Sequence, residues 1–111
     1  MSGMPFEVYI YNTIRRNYPA QDGWIIDEQP TLINGSRPDF IVSRRKSIVV
    51  IDAKDKAELA MDDIYQIDRY GQQCKARSAV IYVANDTEIP EDVKSYANEL
   101  GIRIIRTQWR A

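Results

Sequence analysis

Two aspartates and a lysine carry the strongest chemical pattern in this sequence. Arg37-Pro38-Asp39-Phe40-Ile41-Val42 follows the turn residues Asn34-Gly35-Ser36, and shortly after comes Ser47-Ile48-Val49-Val50-Ile51-Asp52-Ala53-Lys54. Both segments read as strands. The second is an apolar β-branched run, too short for a helix and opened by the polar corner Arg44-Arg45-Lys46. Such a run belongs to a strand covered on both faces, yet this one ends in Asp-Ala-Lys. Side chains alternate along a strand, so Asp52 and Lys54 share one face while Ile51 and Ala53 point to the other. Asp39, just inside the preceding strand, lies opposite them if the two strands pair as a hairpin. Two acids and one lysine at a sheet edge can hold a divalent metal against a phosphate.

The rest of the composition narrows the chemistry. The chain of 111 residues contains no histidine, which removes serine–histidine and cysteine–histidine catalysis and every histidine-ligated zinc site. Oxygen ligands remain, and these suit magnesium, manganese or calcium. The single cysteine, Cys74, cannot form an internal disulfide, so a reducing cytoplasmic setting is expected. No apolar stretch is long enough to cross a bilayer and the N-terminus lacks a signal pattern, so no membrane partner is expected. With 44% hydrophobic and 28% charged residues, the chain is ordinary for one globular α/β domain spanning residues 1–111. The net charge of −1 provides no global basic field. Basic residues are instead local: Arg15-Arg16, Arg44-Arg45-Lys46, Lys75 with Arg77, and Arg103, Arg106 and Arg110.

The elements that must position the acids follow in order. Pro5 to Arg16 is an amphipathic helix with Phe6, Tyr9/Ile10 and Thr13/Ile14 on one face, ended before Pro19. Glu7 sits in its first turn, where the helix dipole favours an acid whether or not it serves a metal. Gly23 to Glu28 reads as a first strand, followed by the two strands above as an antiparallel meander. Lys56 to Ala76 is the longest helical signal, with Ala60, Ile64, Ile67, Gly71 and Cys74 on one face. Gln66 and Tyr70, four apart, lie one turn from each other on a neighbouring face. Ala79 to Ala84 is a second apolar strand. Pro90 to Leu100 is a helix stopped by Gly101, and Ile102 to Thr107 is the last strand. The order αβββαβαβ predicts a central mixed β-sheet flanked by helices, antiparallel in the meander and parallel where helices intervene.

These residues resemble the PD-(D/E)xK superfamily, the restriction-endonuclease-like nucleases, over about Pro5 to Ala84. Pro38-Asp39 matches the first part of the motif and Asp52-Ala53-Lys54 the second. Glu7 falls where archaeal Holliday-junction resolvases carry a helix glutamate, and Gln66-Ile67-Asp68-Arg69-Tyr70 fits the Q-x-x-x-Y signature of RecB-like members. The basic surface typical of the junction resolvases is missing, and Lys56 competes with Lys54 if the strand stops early.

The resemblance implies a nuclease, more an endonuclease than an exonuclease, acting on DNA rather than RNA in repair, recombination or defence. It implies that Asp39, Asp52 and the Ala53 carbonyl, with Glu7 through water, hold one or two Mg²⁺ ions, with Mn²⁺ able to substitute. Lys54 would position the attacking water or stabilise the transition state, and Gln66 would orient water or phosphate. Tyr70, Arg69, Arg44 and Arg45 are the expected nucleic-acid contacts, Tyr70 either stacking on a base or supporting Gln66. A homodimer would serve cleavage of both strands, and Trp109, taken as exposed, hints at one. Two alternatives stand beside this: a non-catalytic module binding nucleic acid or protein on the same fold, and the nuclease domain of a larger assembly. For Asp52 and Lys54 the competing explanation is a strand-end ion pair, worth about 0–1 kcal/mol on a surface. That explanation leaves Asp39 and Gln66 without a role.

Overall fold

The computed structural model describes residues 5–110. Helix α1 (Phe6–Asn17) leads through one 3₁₀ turn to strands β1 (Ile25–Glu28), β2 (Phe40–Arg44) and β3 (Ser47–Lys54). Helix α2 (Met61–Cys74), β4 (Ser78–Val83), α3 (Glu91–Glu99) and β5 (Ile102–Arg106) follow. The five strands form one sheet in sequence order. The β1–β2 and β2–β3 pairs are antiparallel, and the β3–β4 and β4–β5 pairs parallel. The expected order of elements and the mixed sheet are therefore both present.

Strand alternation sorts the core into two layers. Val49 and Ile51 of β3 point toward α1, where they pack with Phe6, Ile10, Ile14, Val42, Val80 and Tyr82. Val50 points the other way, into a cluster with Ile64 and Ile67 of α2, Ile81 and Val83 of β4, and Val93 and Ala97 of α3. The apolar run of β3 is thus covered on both faces, as its lack of alternation required. Burying these aliphatic side chains contributes about 1.5–3 kcal/mol each and is the main force closing both layers.

Several boundaries differ from the sequence expectation. The expected strand over Arg37–Val42 begins instead at Phe40, leaving Asp39 one residue outside it. Pro38 has no N–H to give a ladder, and the Asp39 N–H is taken by a side chain. The first strand starts at Ile25 rather than Gly23, because Gly23 closes the preceding turn in the left-handed region (φ 92°).

The long helix begins at Met61, not Lys56. Residues before it run extended against the segment after β4: the Leu59 N–H donates to the Glu88 carbonyl and the Glu88 N–H to the Ala57 carbonyl, both at 2.8 Å. Leu59 is thereby fully buried, an outcome helical periodicity could not anticipate. Trp109, expected to be exposed, is half-buried with its ring 5.0 Å from that of Phe6, so it closes the α1 layer and is no sign of a dimer. Among the described residues no helix is long and apolar enough to cross a membrane.

Candidate active site

The face of the sheet that carries α2 also carries the acids. Asp52 and Lys54 alternate with Ala53 at the end of β3, and Asp52 is only 2% exposed. Beyond Phe40, the last residue of β2 paired with β3, the chain keeps contact through side chains. The Asp39 N–H donates to Asp52 Oδ1 at 3.0 Å, and the Ala53 N–H donates to Asp39 Oδ2 at 2.8 Å. Each carboxylate thus spends one oxygen on a backbone amide and keeps the other. The Ala53 carbonyl points to the same side of β3 as its N–H, toward Asp39.

Lys54 reaches the site from the strand, as the extension of β3 through this residue requires. Its Nζ donates to Gln66 Oε1 at 2.9 Å and lies 3.7 Å from Asp52 Oδ2. Gln66 stands in the second turn of α2, and the helix carries it to Lys54 at the end of β3. Burial pushes the Asp52 carboxyl up to about 6, offset in part by the Asp39 N–H; the neighbouring Asp39 charge adds to the rise and Lys54 opposes it. The carboxylate is therefore under-compensated by the protein's own groups, and one lysine does not supply enough positive charge.

The structure brings Asp39, Asp52, Ala53, Lys54 and Gln66 together. It does not bring in Glu7. Helix α1 covers the opposite face of the sheet, and exposed Glu7 lines a crevice there with Tyr11, Glu28, Gln29 and Phe40. Among the described residues no three acidic or cysteine side chains gather as a metal-binding group.

Tyr70 is close to the acids but only 9% exposed, so its ring is core and is not available to stack on a base. Burial raises its hydroxyl pKa first, and the charges of Asp52 and Asp39 raise it further. Arg69 is exposed on α2 beside Tyr70 and remains open to solvent. Arg44 and Arg45 sit at the other end of the hairpin, roughly 17 Å along β3 from Asp52 at about 3.3 Å per residue. There the Arg44 guanidinium lies 4.5 Å over the Trp24 ring, a structural use.

One residue of this neighbourhood escaped the sequence. Asp63, third residue of α2, is buried, and its Oδ2 accepts from the Ala60 N–H and the Lys56 Nζ, both at 2.8 Å. It is the return half of a capping box whose first half is missing, because the N-cap residue is alanine. With no serine or threonine at that position, the usual signal was absent.

No protein-family model matches the sequence, and no curated protein is similar to it. Solved structures are similar in fold. A repair endonuclease from Pyrococcus abyssi superposes with a TM-score of 0.68 at 18% identity, over 99% of this chain and 50% of that one. The EndoMS–dsDNA complex gives 0.68 at 13% identity, over 100% and 48%. SfsA from Pyrococcus furiosus, in complex with Ca²⁺, gives 0.59 at 13%, over 90% and 55%. The fold is restriction-endonuclease-like, and the chain spans about half the length of each of these proteins.

Proposed function

We propose that this chain is a metal-dependent nuclease of the PD-(D/E)xK type that hydrolyses phosphodiester bonds, with DNA as substrate and cleavage within the strand. The observation that carries the proposal is the reciprocal hold of Asp39 and Asp52, with Lys54 clasped by Gln66 beside them. A solvated ion pair at a strand end would not bury Asp52 or recruit Asp39 and Gln66. The fold neighbours that are endonucleases, one of them bound to double-stranded DNA, support the same assignment.

The donor set fits a hard cation. It is all oxygen, and buried Asp52 lacks full charge compensation. Asp39 and Asp52, through the oxygens not given to backbone amides, and the Ala53 carbonyl would hold Mg²⁺ or, in its place, Mn²⁺. When bound, the ion makes coordinated water acidic and offsets the charge on the scissile phosphate. The Lys54 ammonium keeps N–H donors beyond its bond to Gln66 and would stabilise the negative charge that grows on the phosphate oxygens. Gln66 holds that ammonium in place, and its amide NH₂ is left to orient the phosphate or water. Arg69 would contact the nucleic-acid backbone, and a reducing cytoplasmic location suits the lone half-buried Cys74.

The test is cleavage of plasmid, single strands, a four-way junction and structured RNA with Mg²⁺, Mn²⁺ or EDTA. Asp52→Ala and Lys54→Ala run alongside, with their folding verified. Metal-dependent cutting that both substitutions abolish is the expected result. A folded protein that binds one of these substrates and cuts none would instead be a binding module on the same fold.

A further inference from the structure

Lys54 has a second carboxylate beside it that the motif does not include. Asp63 Oδ1 lies 3.9 Å from Lys54 Nζ, while Asp63 Oδ2 takes Lys56 Nζ at 2.8 Å. One buried acid therefore stands between two lysines that flank Asp55 on the chain. Capping α2 would need only the bond to the Ala60 N–H and would leave the acid in solvent. Asp63 is instead buried, a position in which a carboxylate requires charged partners.

Lys56 is held there deliberately by its backbone. Its carbonyl accepts from the Thr87 hydroxyl at 2.8 Å, and Thr87 is itself buried. The neighbouring extended segment is tied to the chain after β4 through Leu59 and Glu88. The Lys56 side chain then folds back onto α2 instead of extending into water. This leaves Asp63 with one oxygen fixed by two donors and the other directed at Lys54. The side chain of Lys54 is 21% exposed and that of Lys56 40%, so the motif lysine is the more enclosed of the two.

We propose that Asp63 is a positioning residue: its carboxylate, anchored by Lys56 and the Ala60 amide, holds the Lys54 ammonium beside Asp52 and Gln66. The kinetic half of the proposal rests on the nuclease assignment above, but the holding of Lys54 does not. Gln66 supplies the short hydrogen bond and Asp63 the charge, so the ammonium is fixed from α2 by two residues three positions apart. Such residues lie on one face of a helix, one turn from each other.

The test has two readouts on the full chain. A lysine ammonium gives a resolved ¹⁵N–¹H signal only while hydrogen bonding slows its exchange, and this is measured without metal or substrate. Wild type should show the Lys54 signal. Asp63→Asn and Asp63→Ser, which keep an acceptor for the Ala60 N–H, should weaken it, because only the bond to Gln66 then slows exchange, with the backbone amide spectrum preserved. Asp63→Glu should restore it in part. A Lys54 signal unchanged in the Asn and Ser variants would overturn the proposal.

On whichever substrate wild type cuts, Asp63→Asn should lower kcat at least tenfold with KM within threefold, and Asp63→Glu should recover part of that loss. Equal kcat in wild type and Asp63→Asn would also overturn it. A protein that cuts nothing removes the nuclease assignment, and the ammonium signal then decides the positioning role alone.

Discussion

Asp39 and Asp52 are joined through the backbone rather than side chain to side chain: the Asp39 amide donates to Asp52 Oδ1 at 3.0 Å, and the Asp39 carboxylate returns to the Ala53 amide at 2.8 Å. The two bonds continue the β2–β3 pairing past the point where the ladder ends at Phe40. They also satisfy two amides that would otherwise face an acidic cleft.

Replacing Asp39 separates the two tasks. Asp39→Ala strands the Ala53 N–H and should cost about 1–2 kcal/mol in urea unfolding, with metal-dependent cleavage lost. Asp39→Asn keeps an acceptor, so its stability should stay near wild type while cleavage is still lost. An Asn variant as unstable as the Ala variant would show that the bond to Ala53 does not form.

Asp52 makes the metal-free protein less stable as pH rises. Its carboxyl titrates at about 6 in the folded chain against 3.8 in the unfolded one, chiefly through burial. Between those values the folded state holds a proton that the unfolded state has released, so stability is full at low pH and falls until pH 6 is passed. At neutral pH the ionised group should cost on the order of 2–3 kcal/mol. Asp52→Asn should therefore melt higher than wild type at pH 7 in EDTA, with the gap closing toward pH 4. Adding Mg²⁺ should raise the melting temperature of wild type and not of the variant. A variant that melts no higher than wild type at pH 7 would contradict the buried-charge account.

Lys75 ends α2 in the left-handed region at φ 54°, where a side chain is strained and glycine is not. Lys75→Gly should stabilise the protein by about 1 kcal/mol, read as a higher melting temperature. Cleavage should be unaffected, because Lys75 lies at the opposite end of α2 from Asp63.

Trp109 packs on Phe6 and helps seal the layer between α1 and the sheet. Trp109→Ala should lower stability by about 2 kcal/mol without changing the elution volume in size-exclusion chromatography. A variant that shifts from dimer to monomer would mean that the indole serves an interface instead.

Much of this arrangement was legible in the chain because strong local signals and tertiary demands agreed. The non-alternating run Ile48–Ile51 could only be a strand covered twice, and its Asp-Ala-Lys ending placed two chemical groups on one face by alternation alone. Gly101 at φ 74° and Pro90 ahead of Glu91 bounded α3 as expected. The failures have a common physical origin in contacts distant along the chain. The start of α2 depends on hydrogen bonds from Leu59 to Glu88, and Asp63 became visible only once that start was fixed. Trp109, read as exposed, and Tyr70, read as able to stack on a base, are drawn into the core by partners that no local window contains. Glu7 has the helix position of a site acid, but the side of the sheet on which α1 packs decides whether it arrives.

The amide of Asp39 acts as a ruler for the pair of acids. Because it grips one oxygen of Asp52 at a fixed height above β3, the gap between the two outward oxygens is set by peptide geometry and not by side-chain flexibility. Glutamate at position 52 would carry its carboxylate one methylene past that grip. Asp52→Glu in this chain should thus widen the bite, weaken Mg²⁺ more than a larger cation such as Ca²⁺, and behave as a change of chelate size.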